Sequence, residues 1–242
     1  MKNRLKELLG AGQPAIGTIL QIPSAPLAEI VAQAGFDWLL VDAEHGPIGL
    51  ETIHAMVRAT SGTQTTPAVR IASNLDWLAK RVLDVGALAV MMPSVNSGAE
   101  ALAAVRAVRY PPEGTRGVGP TFAALRWGLA GEEYIRNANR EVMAIVQIET
   151  IEAVERIDEI LAVPGIDLPL IGPYDLSASM GCSGRSTIPG SRRRSGGCSP
   201  QPGRWTCQPG SSECPPTKST ATSSRASGRS WSASMRLFSR PG

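Results

Sequence analysis

Four times in its first 181 residues the chain runs through a short stretch of large apolar residues and then turns abruptly to charged or hydrogen-bonding side chains. The fullest case is Gly35–Pro47, where Trp38-Leu39-Leu40-Val41 leads into Asp42-Ala43-Glu44-His45 before Gly46-Pro47 ends it. A run this short and this apolar reads as a buried parallel strand with a polar tip. Pro67–Arg70, Val142–Glu149 and Leu168–Asp175 repeat the pattern. Folds of alternating strands and helices keep their chemistry at the carboxyl ends of the strands, so these tips are expected to feed one site.

Between the strands the sequence alternates to helical signals. Met1–Leu9 is charged and amphipathic, and Ala15–Leu20 reads as a first strand. Pro26–Ala34 is predicted to be a helix capped by Ser24. Helices follow at Leu50–Thr60, Asp76–Val85, Ala99–Val108, Gly131–Asn139 and Ile151–Ala162, with strands at Thr66–Ile71, Ala87–Pro93, Val142–Ile148 and Asp167–Ile171. Pro169 sits awkwardly in the last strand, because proline cannot donate to a ladder. Residues 110–120 lack periodicity and form the one long loop. Six βα units running one way favour an α/β fold of the (β/α) TIM-type barrel class over an open sheet, with two units still to come.

Those two units do not come. Residues 182–242 are rich in Ser, Arg, Gly, Pro and Cys and show neither strand nor helix periodicity beyond the scrap Met235–Phe238. Such a composition reads as a disordered tail. Either it is a natural basic extension of a domain spanning 1–181, or a shift of reading frame has replaced the end of the barrel. We favour the second, because the change falls inside an unfinished fold.

Charge divides at the same point. The tail holds nine Arg, one Lys and one Glu, leaving 14 basic and 20 acidic residues in the body, so the net charge of +3 hides an acidic domain. An acidic body argues against nucleic acid as a partner. No run of eighteen apolar residues suggests a membrane span, and the charged N-terminus lacks the apolar core of a signal peptide, so the expected setting is the cytoplasm. All four cysteines lie in the tail.

At the strand tips, Glu149 and Asp175 offer two carboxylates suited to Mg²⁺ or Mn²⁺, with water or substrate oxygens completing the shell. Each also has a structural reading, as the cap of a following helix or turn. His45, beside Asp42 and Glu44, is either an acid/base near neutral pH or a loop histidine bonded to a carbonyl. Arg70 closes a buried strand and needs a carboxylate or an anionic ligand. His54, in the helix that follows, reads as ordinary surface or packing. If His45 is a base, the residues alone point to Asp42, close to it on the same loop, as the acid that supports it.

Taken with Arg109–Gly119 and Ile171–Gly181, these stretches resemble the HpcH/HpaI aldolase/citrate lyase family, class II 4-hydroxy-2-oxoheptane-1,7-dioate aldolases among them, over residues 8–181. The resemblance implies cleavage of a 4-hydroxy-2-oxo acid to pyruvate and an aldehyde, or the reverse. It implies Glu149 and Asp175 as ligands of a divalent cation (Mg²⁺, Mn²⁺ or Co²⁺), His45 as acid/base and Arg70 as stabiliser of negative charge. It gives Gln147 a hydrogen bond to substrate, and the backbone at Tyr174 and Asp175 a hold on its carboxylate. The acid that raises the basicity of the histidine falls by resemblance on Asp84. Members form homo-oligomers, hexamers of dimers that exchange a C-terminal helix, and nothing in 182–242 matches that end. Two other readings stand beside the aldolase: an inactive fragment that at most binds metal and pyruvate, and a citrate-lyase-like cleavage of an acyl thioester.

Overall fold

The computed structural model describes residues 1–181 together with the strands Ser199–Gln201 and Arg204–Thr206. Its centre is one sheet of six parallel strands in sequential order: β1 Gly17–Leu20, β2 Trp38–Asp42, β3 Thr66–Arg70, β4 Ala89–Met92, β5 Met143–Ile148 and β6 Leu168–Ile171. The order never reverses, which distinguishes a sheet curling toward a barrel from a doubly wound one. The helices that return the chain are α2 Ala25–Gln33, α3 Leu50–Ala59, α4 Asp76–Asp84 and α5 Gly98–Val108, with the short pair α8 Ile151–Glu155 and α9 Ile157–Leu161 between β5 and β6.

Alternation along the strands sorts the apolar residues into two cores. Leu39, Val41, Val69, Val90, Met92, Ala144, Val146 and Ile148 face outward and pack beneath the helices. Trp38, Leu40, Ala68, Ala89, Met91, Met143, Ile145 and Leu168 face inward and meet Leu5 and Leu8 of α1 (Arg4–Gly10), which stoppers the amino-terminal end of the sheet. Each Val, Leu, Ile or Met among them, fully buried, contributes ~1.5–3 kcal/mol. Asn3 fixes α1 there: its Oδ1 caps Lys6 N, and its Nδ2 donates to the carbonyls of Leu88 and Glu141. Gly17 makes room for the Trp38 ring, since a Cβ at that position would lie about 2 Å from it.

Several expectations are met in detail. Ser24 Oγ accepts the N–H of Leu27 as the N-cap of α2. Pro169 is accommodated because β6 pairs only with β5 among the described residues, and an edge strand has no ladder to lose on its outer side. Others are corrected. The segment beyond Pro120 holds a helix, α6 Thr121–Trp127, closed by Gly128 in the left-handed conformation (φ 63°), ahead of α7 Gly131–Glu141. The helix read across Ile151–Ala162 is broken at Arg156, with no glycine or proline to announce it. Pro173–Ser179 is a further helix, α10, rather than a turn.

The sheet is a six-stranded curled half-barrel, and its flanking strands β1 and β6 are each paired on one side only among the described residues. In the tail, Ser199–Gln201 and Arg204–Thr206 pair as a short antiparallel ladder. The reading of the rest of 182–242 as disordered lies outside the described residues. No described helix is long and apolar enough to cross a membrane.

Candidate active site

The inward-facing positions change character at the carboxyl end of the sheet. After Trp38 and Leu40 the next inward residue of β2 is Asp42; after Ala68, β3 gives Arg70; after Met143 and Ile145, β5 gives Gln147 and then Glu149 just past its end. Parallel register sets Asp42 directly opposite Arg70. The guanidinium takes Asp42 in a two-pronged grip, Nε to Oδ1 at 2.9 Å and Nη2 to Oδ2 at 2.6 Å. Gln21, one residue beyond β1, donates to the same carboxylate at 2.7 Å.

Burial pushes the Asp42 carboxyl upward, but the bonds from Arg70 and Gln21, the guanidinium charge and the N–H of His45 outweigh it and bring its pKa down to about 2. The same carboxylate accepts the N–H groups of Glu44 and His45, so it also shapes the loop that carries them. Gly46 completes the tight turn, because a Cβ there would lie 2.4 Å from the carbonyl of Asp42.

From Arg70 the network continues across the inner face. Its Nη1 donates to Gln147 Oε1 at 3.4 Å, and Gln147 Nε2 donates to Glu149 Oε2. The other Glu149 oxygen accepts both the N–H (2.7 Å) and the hydroxyl (2.8 Å) of Ser94. Ser94 holds a positive φ of 52°, a conformation that costs a non-glycine residue ~1–3 kcal/mol. Both its donors converge on the one carboxylate that this strained turn presents. Gly172, just past β6, lets the strands approach: a Cβ there would meet Gln147 Nε2 at 2.8 Å and Glu149 Oε2 at 2.9 Å.

Glu149 is 4% exposed and, among the described residues, makes no ion pair; all its partners are neutral donors. Asp175 lies in the first turn of α10, three residues after Gly172, exposed and without a hydrogen bond or ion pair to the described residues. Among the described residues no group of three or more His, Cys, Asp or Glu side chains is arranged to hold a metal ion, so a cation held by Glu149 and Asp175 would need water or substrate oxygens to complete its shell. A buried carboxylate held only by neutral donors, and an exposed carboxylate one strand on, have the chemistry to take such an ion. Tyr174, the neighbour of Asp175, is 61% exposed.

His45 stands at the rim, its side chain 52% exposed, with Nε2 3.6 Å from Glu44 Oε2. Glu44 is pushed above the ordinary carboxyl range by burial, which the charges of Arg70 and His45 oppose. A cleft of about 290 Å³ opens beside it, lined by Glu44, Ser73, Asn74, Ser94 and Glu100 among others. His54 packs as read, its ring 5.3 Å from that of Phe122.

Asp84 is not brought to this site within the chain. It ends α4, a helix running back from the carboxyl end of the sheet, and therefore lies at the opposite end, where its Oδ1 accepts Arg116 Nη2 at 2.8 Å. Glu44, Ser94 and Gln21 are the members of the network that sequence reasoning did not select. Ser94 follows Ala89–Met92 and Pro93, another apolar run with a polar tip, and Gln21 continues the inward alternation of β1, so both carried the signal already used for the other strands.

A curled parallel half-barrel with acidic, guanidinium and amide side chains gathered at its strand ends defines the class of protein: an α/β enzyme whose chemistry sits at one end of its sheet. The chain belongs to the HpcH/HpaI aldolase/citrate lyase family, whose model it matches over residues 17–190, and is with it a carbon–carbon lyase. The match runs past Gly181, into the segment read above as foreign to the fold. The chain is 44% identical over 190 residues to a 4-hydroxy-2-oxo-heptane-1,7-dioate aldolase of Escherichia coli, covering 78% of this chain and 72% of that one. It is similar to a solved HpcH/HpaI aldolase/citrate lyase family protein from Burkholderia cenocepacia, with 36% identity and a TM-score of 0.70 over 76% of this chain and 74% of the other. A solved citrate synthase, SbnG, is 31% identical with a TM-score of 0.67, over 75% and 70% of the two chains.

Proposed function

We propose that this protein is a metal-dependent class II aldolase that splits a 4-hydroxy-2-oxo acid into pyruvate and an aldehyde, or joins them in reverse. Glu149 carries this reading: a buried carboxylate at a strand tip that meets only neutral donors is a costly arrangement until a cation joins it. Glu149 and Asp175 would hold Mg²⁺, Mn²⁺ or Co²⁺, which when bound polarises a 2-oxo acid and makes its enolate accessible.

The chain's own groups do the rest. His45, at the rim, accepts the proton of the C4 hydroxyl as the C3–C4 bond breaks, and returns it to C3 of the enolate to give pyruvate. Arg70 faces the negative charge that grows on the enolate oxygen. Gln147, its amide oriented by Arg70 and Glu149, hydrogen-bonds the substrate. The N–H groups of Tyr174 and Asp175, in the first turn of α10, take its carboxylate. Asp84, tied to Arg116, would have to reach His45 from another subunit of a homo-oligomer. A TIM-type barrel that has lost its last two units and a cytoplasmic setting belong to the same reading.

A lactate-dehydrogenase-coupled assay for pyruvate, run on 4-hydroxy-2-oxo acids with Mg²⁺ or Mn²⁺, tests it. Release should stop with chelator and fall by about 10²-fold or more in Glu149→Gln and Asp175→Asn, on the scale of lost electrostatic stabilisation. Undiminished release with chelator, or from Glu149→Gln, would overturn it. The likeness to a citrate synthase supports a second reading, a citrate-lyase-like cleavage of an acyl thioester. Formation of a 2-oxo acid and an acetyl thioester from a citryl thioester, with the thioester bond kept and no pyruvate released from 4-hydroxy-2-oxo acids, would favour it. The half-open sheet supports a third, a fragment that binds Mn²⁺ and pyruvate without turnover.

A further inference from the structure

One oxygen at the rim has no hydrogen bond, yet lies between two groups that the proposed reaction needs. Glu44 Oε2 is shielded from solvent and makes no hydrogen bond. It lies 3.2 Å from Arg70 Nε, a contact that misses hydrogen-bond geometry because Nε donates to Asp42 instead, and 3.6 Å from His45 Nε2. We infer that Glu44 is a positioning residue: its carboxylate joins the guanidinium of Arg70 to the imidazole of His45, turning the ring's other nitrogen, Nδ1, toward the substrate and favouring the protonated ring once the C4 proton has been taken.

The surroundings support the assignment. The charged groups about His45 are Asp42 and Glu44 on its own loop, Arg70 on β3 and, beyond Glu44, Glu149 on β5. Asp42 is saturated by Arg70, Gln21 and two backbone N–H groups, so it has no capacity left for the imidazole. The carboxylate of Glu149 is engaged by Ser94 and Gln147. Glu44 is the remaining acid, and its backbone is held by the same Asp42 that holds the backbone of His45. A shift from the close contact seen here to a hydrogen bond needs only a small turn of a ring that is half exposed.

The inference rests on His45 being the acid/base of the proposed aldolase, and its test separates the two. The chain has two histidines, so imidazole NMR of the full-length protein gives two titration curves, assigned through His54→Gln. Replacing Glu44 by Gln should lower the His45 midpoint by a few tenths of a pH unit, the scale of a partly exposed ion pair, and move the lower limb of the pH–rate profile with it. Pyruvate C3-proton exchange should fall about tenfold in kcat with KM changed less than twofold, and Glu44→Asp should restore part of the midpoint shift. An unmoved His45 midpoint in Glu44→Gln, or one that moves in Asp84→Asn instead, overturns the role of Glu44. If His45→Gln keeps full exchange activity, the aldolase reading fails, while the NMR titration still decides whether Glu44 and His45 are coupled.

Discussion

The two ends of the sheet each hold a buried arginine against an aspartate, and the two pairs differ in what surrounds them. At the carboxyl end, Arg70 grips Asp42 with two nitrogens, and Gln21 and two backbone N–H groups add to the same carboxylate. At the other end, Arg116 reaches Asp84 with one nitrogen and spends its other faces on aromatic rings, Tyr110 at 4.4 Å and Tyr134 at 5.7 Å. The acids respond oppositely. Asp42 falls to a pKa of about 2, whereas burial keeps Asp84 above the ordinary range despite the guanidinium of Arg116. Burial is common to both, so the number of donors aimed at the carboxylate decides the sign.

Removing each cation should give the widest separation. Arg70→Met strands Asp42 and Glu44 beside Glu149 and is expected to cost about 3–5 kcal/mol, against about 2 kcal/mol for Arg116→Met, whose acid is partly solvated. Urea midpoints of the two variants measure the difference, and equal losses would break the comparison.

Removing each acid sharpens it through pH. A folded-state pKa depressed below the unfolded value means that the stabilisation from Asp42 is complete above about pH 4 and is lost as the pH falls toward 2. Asp42→Asn should therefore cost about 2 kcal/mol at pH 7 and progressively less across that window. Asp84 has the opposite sign: its raised pKa weakens the charged state of the fold, so Asp84→Asn should cost less than about 1 kcal/mol at pH 7. Urea denaturation at a series of pH values reads both.

Two smaller effects follow. Gly172→Ala has a backbone that alanine tolerates, with φ −92°, but its methyl group displaces Gln147 and Glu149; Mn²⁺ affinity, followed by electron paramagnetic resonance, should fall about tenfold. At the far end, Tyr134→Phe removes hydrogen bonds of 3.3–3.5 Å to Arg116 and Leu83 and should lower stability by about 0.5–1 kcal/mol, read from the same urea curves.

Much of this architecture was legible because strand alternation is a strict period of two: once Trp38 and Leu40 are buried inward, Asp42 must follow them, and the same holds for Gln147 after Ile145. The helices α6 and α10 escaped because neither shows a clear polar and apolar face, α6 being almost wholly apolar and α10 burying no residue, although Pro120 and Gly128 bracket α6 as start and stop signals. Partnerships were the least legible. Asp84 carries no mark of Arg116, thirty-two positions away, and Glu44 looked like a bystander of His45 until β3 brought Arg70 alongside it. Nor does any local signal announce the left-handed backbone of Ser94, whose N–H and hydroxyl both meet Glu149.

The first strand has a practical consequence for handling the purified chain. Ile16, Ile19 and Ile22 stand 48–61% uncovered along a ladder edge with nothing described on its far side, the kind of border on which foreign strands stack. Association through such a border grows with protein concentration, so light scattering followed across a dilution series is the check that belongs beside every kinetic run.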